Sequence, residues 1–146
     1  VREAHPLGVM CSYNDWNGEP IASSRWFLFD LLRGTYGFDG YVVSDSDAVE
    51  FVQTKHQVAA TYEEAVAKTV AAGLNVRTRF GAPDDFTAAL KRAIAQGLVS
   101  VSEVDARVAE VLSVKFRPGL FANPYKYLDG KVSKDLTYCK AHKDFD

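Results

Sequence analysis

Three short apolar segments, each leading into a helical pattern, constrain the fold of this chain more than any other feature. They are residues 8–13 (GVMCSY), 41–44 (YVVS) and 74–76 (LNV). Strands that are apolar on both faces are typical of parallel sheets, because helices cover both sides of such sheets. The sequence therefore predicts an α/β fold in which about three β/α units follow one another along the chain.

The segments between these strands carry recognisable helix ends. Ser24 is predicted to cap a first helix, Thr61 and Glu64 form a capping box for a second, and Pro83 opens a third. Ser102 is predicted to cap a last helix, which ends at residues 117–119 (RPG). Each predicted strand is thus followed by at least one helix, as a β/α unit requires.

The number of units is too small for a closed barrel. An eight-stranded (β/α)8 barrel takes about 250 residues, and a half-barrel would leave two sheet edges unpaired. We therefore predict that residues 1–122 are the C-terminal part of a (β/α)8 TIM-type barrel. Residues 123–146 are polar and irregular, and they are predicted to be a linker or the start of a following domain.

Composition and charge exclude several classes of function. The net charge is -2 and Lys and Arg are not concentrated in any stretch, which argues against a nucleic acid or a membrane surface as partner. No apolar run approaches the roughly 20 residues of a membrane helix. Cys11 and Cys139 lack the spacing of a metal or redox motif, and a disulfide between them is left open. No metal and no cofactor are predicted.

Polar side chains follow two of the predicted strands, at residues 12–18 (SYNDWNG) and 44–47 (SDSD). Functional groups of parallel α/β sheets gather at the carboxyl ends of the strands. Asp45 is therefore a candidate catalytic carboxylate, and capping of the following helix is an equally weighted role on these residues alone. A Schiff-base aldolase is disfavoured, because no lysine stands at a strand end.

Several segments together resemble glycoside hydrolase family 3. They are residues 9–14 (VMCSYN), 17–18 (NG), 31–33 (LLR), 36–45 (YGFDGYVVSD), 72–76 (AGLNV), 104–108 (VDARV) and 120–125 (LFANPY). The β-glucosidases and β-xylosidases of that family carry Ser-Tyr-Asn, Leu-Leu-Arg, Gly-Phe-Asp-Gly and Val-Val-Ser-Asp at matching spacing. The resemblance covers roughly residues 8–125.

The resemblance implies a glycosidase: a retaining, exo-acting β-glycoside hydrolase that releases terminal β-linked glucose or xylose. The family's nucleophile maps onto Asp45, and its general acid/base usually lies in a following α/β sandwich domain. The implied partners are a β-linked glycoside or oligosaccharide, the missing part of the barrel and that sandwich domain. A periplasmic or secreted location fits the family, but this sequence holds no signal peptide that would decide the compartment.

The resemblance also marks residues around the sugar. Met10 and Tyr13 fall on positions that border the sugar-binding subsite, and Tyr13 is expected to donate a hydrogen bond to Asp45. For Met10, core packing is an equally weighted role. Ser46 stands where many family members have tryptophan, which removes a stacking ring there. Arg77 departs from the residues usual in relatives, and it either reaches the pocket or forms a salt bridge.

Other nearby residues receive less specific interpretations. Trp16 is weighed as a sugar-stacking ring and, more readily, as a core or surface tryptophan. Asp15 and Asp47 are interpreted as pocket or capping groups and not as the general acid. The family holds sugar hydroxyls with a Lys-His pair, but that pair precedes the first strand seen here. Lys55 and His56 are therefore interpreted as helix or loop residues.

Two other functions are kept as alternatives. A β-N-acetylhexosaminidase of the same family often works from a single domain, with a histidine acid on a barrel loop. A non-catalytic barrel fragment with a sugar-binding or assembly role represents a different class. A sandwich domain encoded after residue 146 would favour the β-glucosidase or β-xylosidase interpretation over the hexosaminidase.

Overall fold

The computed structural model describes residues 1–126, 128, 130, 135–137 and 139–144. The chain divides into two compact units, Val1–Val114 and Lys115–Asp146. Within the described residues, no helix has the length and apolar character needed to cross a membrane. Cys11 and Cys139 are both free thiols.

Five strands lie in the first unit. They are β1 (Gly8–Cys11), β2 (Asp15–Trp16), β3 (Glu19–Pro20), β4 (Tyr41–Ser46) and β5 (Val76–Thr78). Strands β1, β4 and β5 form a parallel sheet with β4 in the centre, and β2 and β3 form a separate antiparallel hairpin. The prediction of an α/β fold with a parallel sheet is confirmed.

The third strand differs from its prediction. It begins at Val76, two residues later than expected, and it extends to Thr78. The reason is that Leu74 and Asn75 have other roles. The Leu74 side chain is buried in the hydrophobic core, and the Asn75 side chain accepts a hydrogen bond from the Val42 N–H at 2.7 Å.

The helices follow in the predicted order. A 3-10 turn (Ile21–Ser23) precedes a π-helix (Trp26–Thr35), and α1 (Ala48–Thr54) and α2 (Tyr62–Ala72) follow β4. Helices α3 (Asp84–Ala95) and α4 (Val101–Phe116) follow β5, and α5 (Lys140–Lys143) is short. The π-helical form of the first helix is not predicted by the sequence pattern.

Two of the predicted caps are confirmed. The Ser24 hydroxyl accepts from the Phe27 N–H at 3.5 Å, before the π-helix. The Thr61 hydroxyl accepts from the Glu64 N–H at 3.2 Å, and the Glu64 carboxylate accepts from the Ala60 N–H at 2.8 Å. These bonds satisfy amide groups that a helix start leaves without a partner.

The predicted cap at Ser102 is wrong. Helix α4 already begins at Val101, and the Ser100 hydroxyl accepts from the Glu103 N–H at 3.2 Å. The Glu103 carboxylate accepts from the Ser100 N–H at 2.8 Å, and these Ser100 bonds lower the pKa of Glu103. Ser100 and Glu103 therefore form a reciprocal capping box, which is a stronger start signal than a lone serine.

The helices cover one face of the sheet. Cys11, Val42 and Ser44 are buried on that face, where the core also includes Leu28 and Val49. Met10 pairs with Val43 and is 63% exposed, so these two residues belong to the opposite, open face. Asp45 follows two residues after Val43, within a register shift in the pairing of β4 with β5 between Val43 and Ser46, and its side chain is half-buried.

Candidate active site

Asp45 lies near the carboxyl end of the central strand β4, and its side chain is half-buried. Its Oδ1 accepts a hydrogen bond from the Ser46 N–H at 2.6 Å. Helix α1 begins only at Ala48, with Asp47 at the N-cap position. The geometry therefore does not favour a helix-capping role for Asp45, and its carboxylate stands at the sheet edge where parallel α/β proteins place their functional groups.

Residues on β1 approach Asp45 from one side. Cys11 is buried beside it, and burial raises the pKa of the Cys11 thiol to about 11. Met10 lies on the open face of the same strand. Tyr13 follows β1 and is 47% exposed. Within the described residues the Tyr13 hydroxyl donates no hydrogen bond to Asp45; its ring instead contacts Phe51 edge-on, with the centroids 5.9 Å apart.

The segment after α1 forms a hydrogen bond with the loop that carries Tyr13. Lys55 and His56 lie beyond the last residue of α1, as the sequence predicted. His56 Nε2 is 2.8 Å from the Tyr13 carbonyl oxygen, which accepts its hydrogen, and His56 Nδ1 is 3.9 Å from Asp15 Oδ2. Lys55 Nζ lies 3.6 Å from the centroid of the Phe51 ring. His56 therefore positions the Tyr13 loop, a role that sequence spacing did not indicate.

Arg77 forms a largely buried ion pair. Its side chain is 7% exposed, and its Nε donates to Glu50 Oε1 at 2.7 Å. A second contact joins Arg77 to Asp85 Oδ1 at 3.2 Å. The Tyr62 hydroxyl also donates to Glu50 Oε1, and burial followed by this bond raises the pKa of Tyr62. Of the two roles weighed for Arg77, the geometry favours the salt bridge.

A pocket of about 380 Å³ opens beside the end of β5. Arg79 pairs with Asp47, at 3.3 Å between Nε and Oδ1, and with Asp85 at 2.7 Å. Phe80 is 96% exposed. The pocket is lined by Asp47, Glu50, Phe51, Thr54, Arg79, Phe80 and Gly81. Sequence reasoning missed Arg79 and Phe80, because it placed the end of this strand two residues too early.

Two further features of this edge bear on its chemistry. Trp16, on β2, is 61% exposed and meets the Phe27 ring edge-on, so it is a surface tryptophan. Among the described residues, no group of three or more His, Cys, Asp or Glu side chains is placed to hold a metal ion. The groups at this edge include carboxylates, hydroxyls, aromatic rings and guanidinium groups, together with the Cys11 thiol, the His56 imidazole and the Lys55 ammonium.

Known proteins resemble this chain over most of its length. It is 38% identical over 125 residues to the periplasmic β-glucosidase of Salmonella typhimurium. The aligned region covers 86% of this chain and 16% of that protein. It is 36% identical over 139 residues to β-D-xylosidase 3 of Arabidopsis thaliana, covering 93% and 17%. The chain thus spans about a sixth of the length of these relatives.

Solved structures agree in fold. A β-glucosidase from Erythrobacter marinus superposes with a TM-score of 0.80 and 30% sequence identity, covering 97% of this chain and 18% of that one. The model of the glycosyl hydrolase family 3 N-terminal domain matches residues 1–114. The likeness therefore extends over the whole first unit. On this match, together with the two curated relatives, the chain belongs to glycosyl hydrolase family 3.

Proposed function

We propose that this chain carries the nucleophile of a retaining, exo-acting β-glycosidase that releases terminal β-linked glucose or xylose. The observation that carries the proposal is the position of Asp45 at the carboxyl end of the central strand in a family 3 chain. The relatives' names favour glucose or xylose over an N-acetylhexosamine. The remaining strands of a (β/α)8 barrel and an α/β sandwich domain are proposed to belong to the same enzyme.

The hydrogen bonding of the two Asp45 carboxylate oxygens suits this residue to nucleophilic attack. In a retaining mechanism a carboxylate attacks the anomeric carbon, and water then hydrolyses the glycosyl-enzyme. The Ser46 N–H orients Oδ1, and it is the only hydrogen-bond donor that the described residues give this carboxylate. Oδ2 therefore keeps its lone pairs for the attack.

Met10, Tyr13 and Ser46 are proposed to border the sugar bound at Asp45. Met10 lies on the open face of the sheet, and the exposed Tyr13 hydroxyl is available as a donor once substrate orders the site. Apo geometry does not rule out such a bond, because catalytic hydrogen bonds often form only with substrate bound. Arg77 is not assigned to this group, since its guanidinium is held by Glu50 and by Asp85.

The general acid/base is proposed to come from outside this chain. Asp47 pairs with Arg79, and Glu50 pairs with Arg77 in a site that is only 12% exposed. An ion pair requires the carboxylate in its ionised form, whereas a general acid must carry a proton to the leaving oxygen. A carboxyl group of the sandwich domain is the proposed donor.

The test is covalent labelling of the enzyme that contains this chain. A 2-deoxy-2-fluoro β-glycosyl fluoride should trap the glycosyl-enzyme, and peptide mapping should place the label on Asp45. Asp45→Gly should lower turnover by roughly 10³-fold or more while the fold persists. Azide should then restore turnover and give the α-glycosyl azide, because it attacks from the face that Asp45 vacates.

Asp105→Asn provides the matched control, since it removes an exposed carboxylate on α4 far along the chain from the strand ends. This variant should label and turn over like the unaltered enzyme. A label on another residue, or near-normal turnover by a folded Asp45→Gly enzyme, would refute the assignment.

A further inference from the structure

Helix α1 connects the candidate nucleophile to the loop that carries Tyr13. It begins at Ala48, shortly after Asp45. The ring of Phe51, in the middle of the helix, meets the Tyr13 ring edge-on, with the centroids 5.9 Å apart. His56, just beyond the helix, donates from Nε2 to the Tyr13 carbonyl oxygen at 2.8 Å. The segment that starts at the nucleophile therefore contacts both the side chain and the backbone of Tyr13.

The end of α1 gives His56 a defined place. The His56 N–H donates to the Phe51 carbonyl oxygen at 2.8 Å, and the next residue, Gln57, has a φ of 55°. A non-glycine residue in this left-handed region is uncommon and here marks a tight turn. The Val58 N–H closes the turn on the Val52 carbonyl oxygen at 3.1 Å. The backbone of His56 is thus tied to the helix from which its ring extends.

Both nitrogens of the His56 ring face an acceptor. Nε2 carries a hydrogen, because the Tyr13 carbonyl oxygen can only accept. Nδ1 lies 3.9 Å from Asp15 Oδ2, and Asp15 Oδ1 accepts from the Gly18 N–H at 3.1 Å. The ring is therefore oriented from two sides, and it joins the end of α1 to the loop between β1 and β2.

Tyr13 depends on such contacts more than the other residues proposed to border the sugar. Met10 lies in β1 and Ser46 lies in β4, where pairing between strands fixes the backbone. Tyr13 lies in the loop after β1, outside the sheet. A displacement of about 1 Å at a reacting centre costs on the order of 100-fold in rate, so the contacts that place this loop bear on the reaction.

We propose that His56 is a positioning residue for the glycosidase reaction: it holds the Tyr13 loop so that the tyrosine hydroxyl meets Asp45 when substrate binds. The inference rests on the proposed function, because it takes Asp45 as the nucleophile and Tyr13 as a residue that borders the sugar. His56 acts through the Tyr13 backbone and not by contact with the sugar.

The experiment measures the first chemical step of the full-length enzyme. The readout is the limiting rate at which a 2-deoxy-2-fluoro β-glycosyl fluoride inactivates it, separated from the dissociation constant of the inhibitor. His56→Ala should lower the limiting rate by roughly 10-fold or more and change the dissociation constant less. His56→Gln keeps an N–H donor near the position of Nε2 and should recover most of the rate. His56→Asn is too short to reach the Tyr13 oxygen and should behave as His56→Ala.

Gln53→Ala is the matched control. Gln53 lies on α1 and donates from Nε2 to the Ala60 carbonyl oxygen at 3.2 Å, so this bond stays within α1 and the segment after it. The replacement removes a bond of the same kind, from a side chain to a backbone carbonyl. It should therefore reproduce any general loss of stability and leave the inactivation rate within about twofold of the unaltered enzyme.

A double-mutant cycle tests whether Tyr13 carries the effect. Tyr13→Phe alone should lower the inactivation rate, and His56→Ala added to it should lower the rate by no more than a further factor of about two, because the hydroxyl that His56 positions is already gone. If His56→Ala does not fold, the His56→Asn and His56→Gln enzymes supply the same comparison.

The outcomes separate this inference from the function on which it rests. Coupled losses at His56 and Tyr13, with recovery by His56→Gln, support the positioning role. Normal inactivation of a folded His56→Ala enzyme, no effect of Tyr13→Phe, or full and independent effects of the two replacements overturn it even if the fluorosugar labels Asp45. If the unaltered enzyme gives no label on Asp45, the proposed function itself fails.

Discussion

Replacing Asn75 should destabilise the enzyme without impairing its chemistry. The Asn75 side chain, just before β5, joins the central strand β4 to the π-helix and to α4 at the edge of the sheet opposite Asp45. Its Oδ1 accepts from the Val42 N–H at 2.7 Å and from Arg33 at 3.2 Å. Its Nδ2 donates to the Arg107 carbonyl oxygen at 2.9 Å and to Glu110 Oε2 at 2.5 Å. Asn75→Ala removes all four bonds at once.

The magnitude follows from what the replacement leaves unpaired. Val42 is fully buried, so its N–H loses its acceptor where water cannot replace it, which costs about 1–3 kcal/mol. The bond to the charged Glu110 contributes a further ~1.5–3 kcal/mol. Bonds within one network are not additive, so we expect a total loss of about 3–4 kcal/mol.

Thermal unfolding of the full-length enzyme checks the direction, with an expected fall in Tm of a few °C, because a given loss of free energy shifts Tm less in a longer cooperative unit. Asn75→Asp is the comparison variant: it keeps an acceptor for the Val42 N–H, but its second oxygen cannot donate to the Arg107 carbonyl oxygen or to Glu110, so it isolates the cost of losing those two bonds. In both variants kcat of the folded enzyme should stay within about twofold, because the residue is remote from the catalytic edge. A Tm equal to that of the unaltered enzyme, or a collapse of kcat in enzyme that remains folded, would refute the reasoning.

Shorter predictions concern three other residues. Because the pKa of Cys11 is about 11, iodoacetamide at pH 8 should alkylate it on the order of 100-fold more slowly than free cysteine. The buried Cys11 thiol contributes its full stabilisation below about pH 8.5, the pKa of the thiol in the unfolded chain, and this contribution falls as the pH rises towards 11. Denaturation of Cys11→Ala and of the unaltered enzyme across this pH range should reveal the fall. Ser100→Ala should cost about 1 kcal/mol in thermal unfolding, through the lost cap on Glu103. Tyr13→Phe should move the acidic limb of the pH–rate profile to higher pH by at most about one unit, since the hydroxyl would favour ionised Asp45; an unmoved limb leaves Tyr13 a packing residue.

Local sequence signals predicted most of the fold. The run at residues 41–44 is apolar and β-branched, and it forms the central strand. The capping box at Thr61 and Glu64 formed as predicted, and the one at Ser100 and Glu103 was present in the sequence but overlooked. The start of β5 could not be predicted in this way. The local pattern predicts that Asn75 is a strand residue. Its side chain instead accepts a hydrogen bond from the Val42 N–H, 33 positions earlier, and only the folded structure reveals that contact.

The candidate site was predictable to the same extent. A carboxylate that follows a buried strand is a local pattern, which made Asp45 a candidate, and the family resemblance favoured the nucleophile role over helix capping. The bonds of Glu50 to Tyr62 and Arg77 span 12 and 27 positions, and that of His56 to Tyr13 spans 43. Such contacts exist only once the sheet and the helices have packed, so no spacing in the sequence reveals them.

The orientation of Asp45 depends on contacts at the far edge of the sheet. Alternation along β4 buries Val42 and Ser44 under the helices, and the register shift between Val43 and Ser46 sets the direction of the Asp45 carboxylate. Tyr41 N–H donates to the Leu7 carbonyl oxygen at 3.1 Å, while the Asn75 bonds hold Val42 from the other side. Register is an all-or-none property of the folded sheet. For that reason the edge that supplies no candidate catalytic group contributes to where the proposed nucleophile points, and weakening it should reduce the amount of folded enzyme and not the rate of each folded molecule.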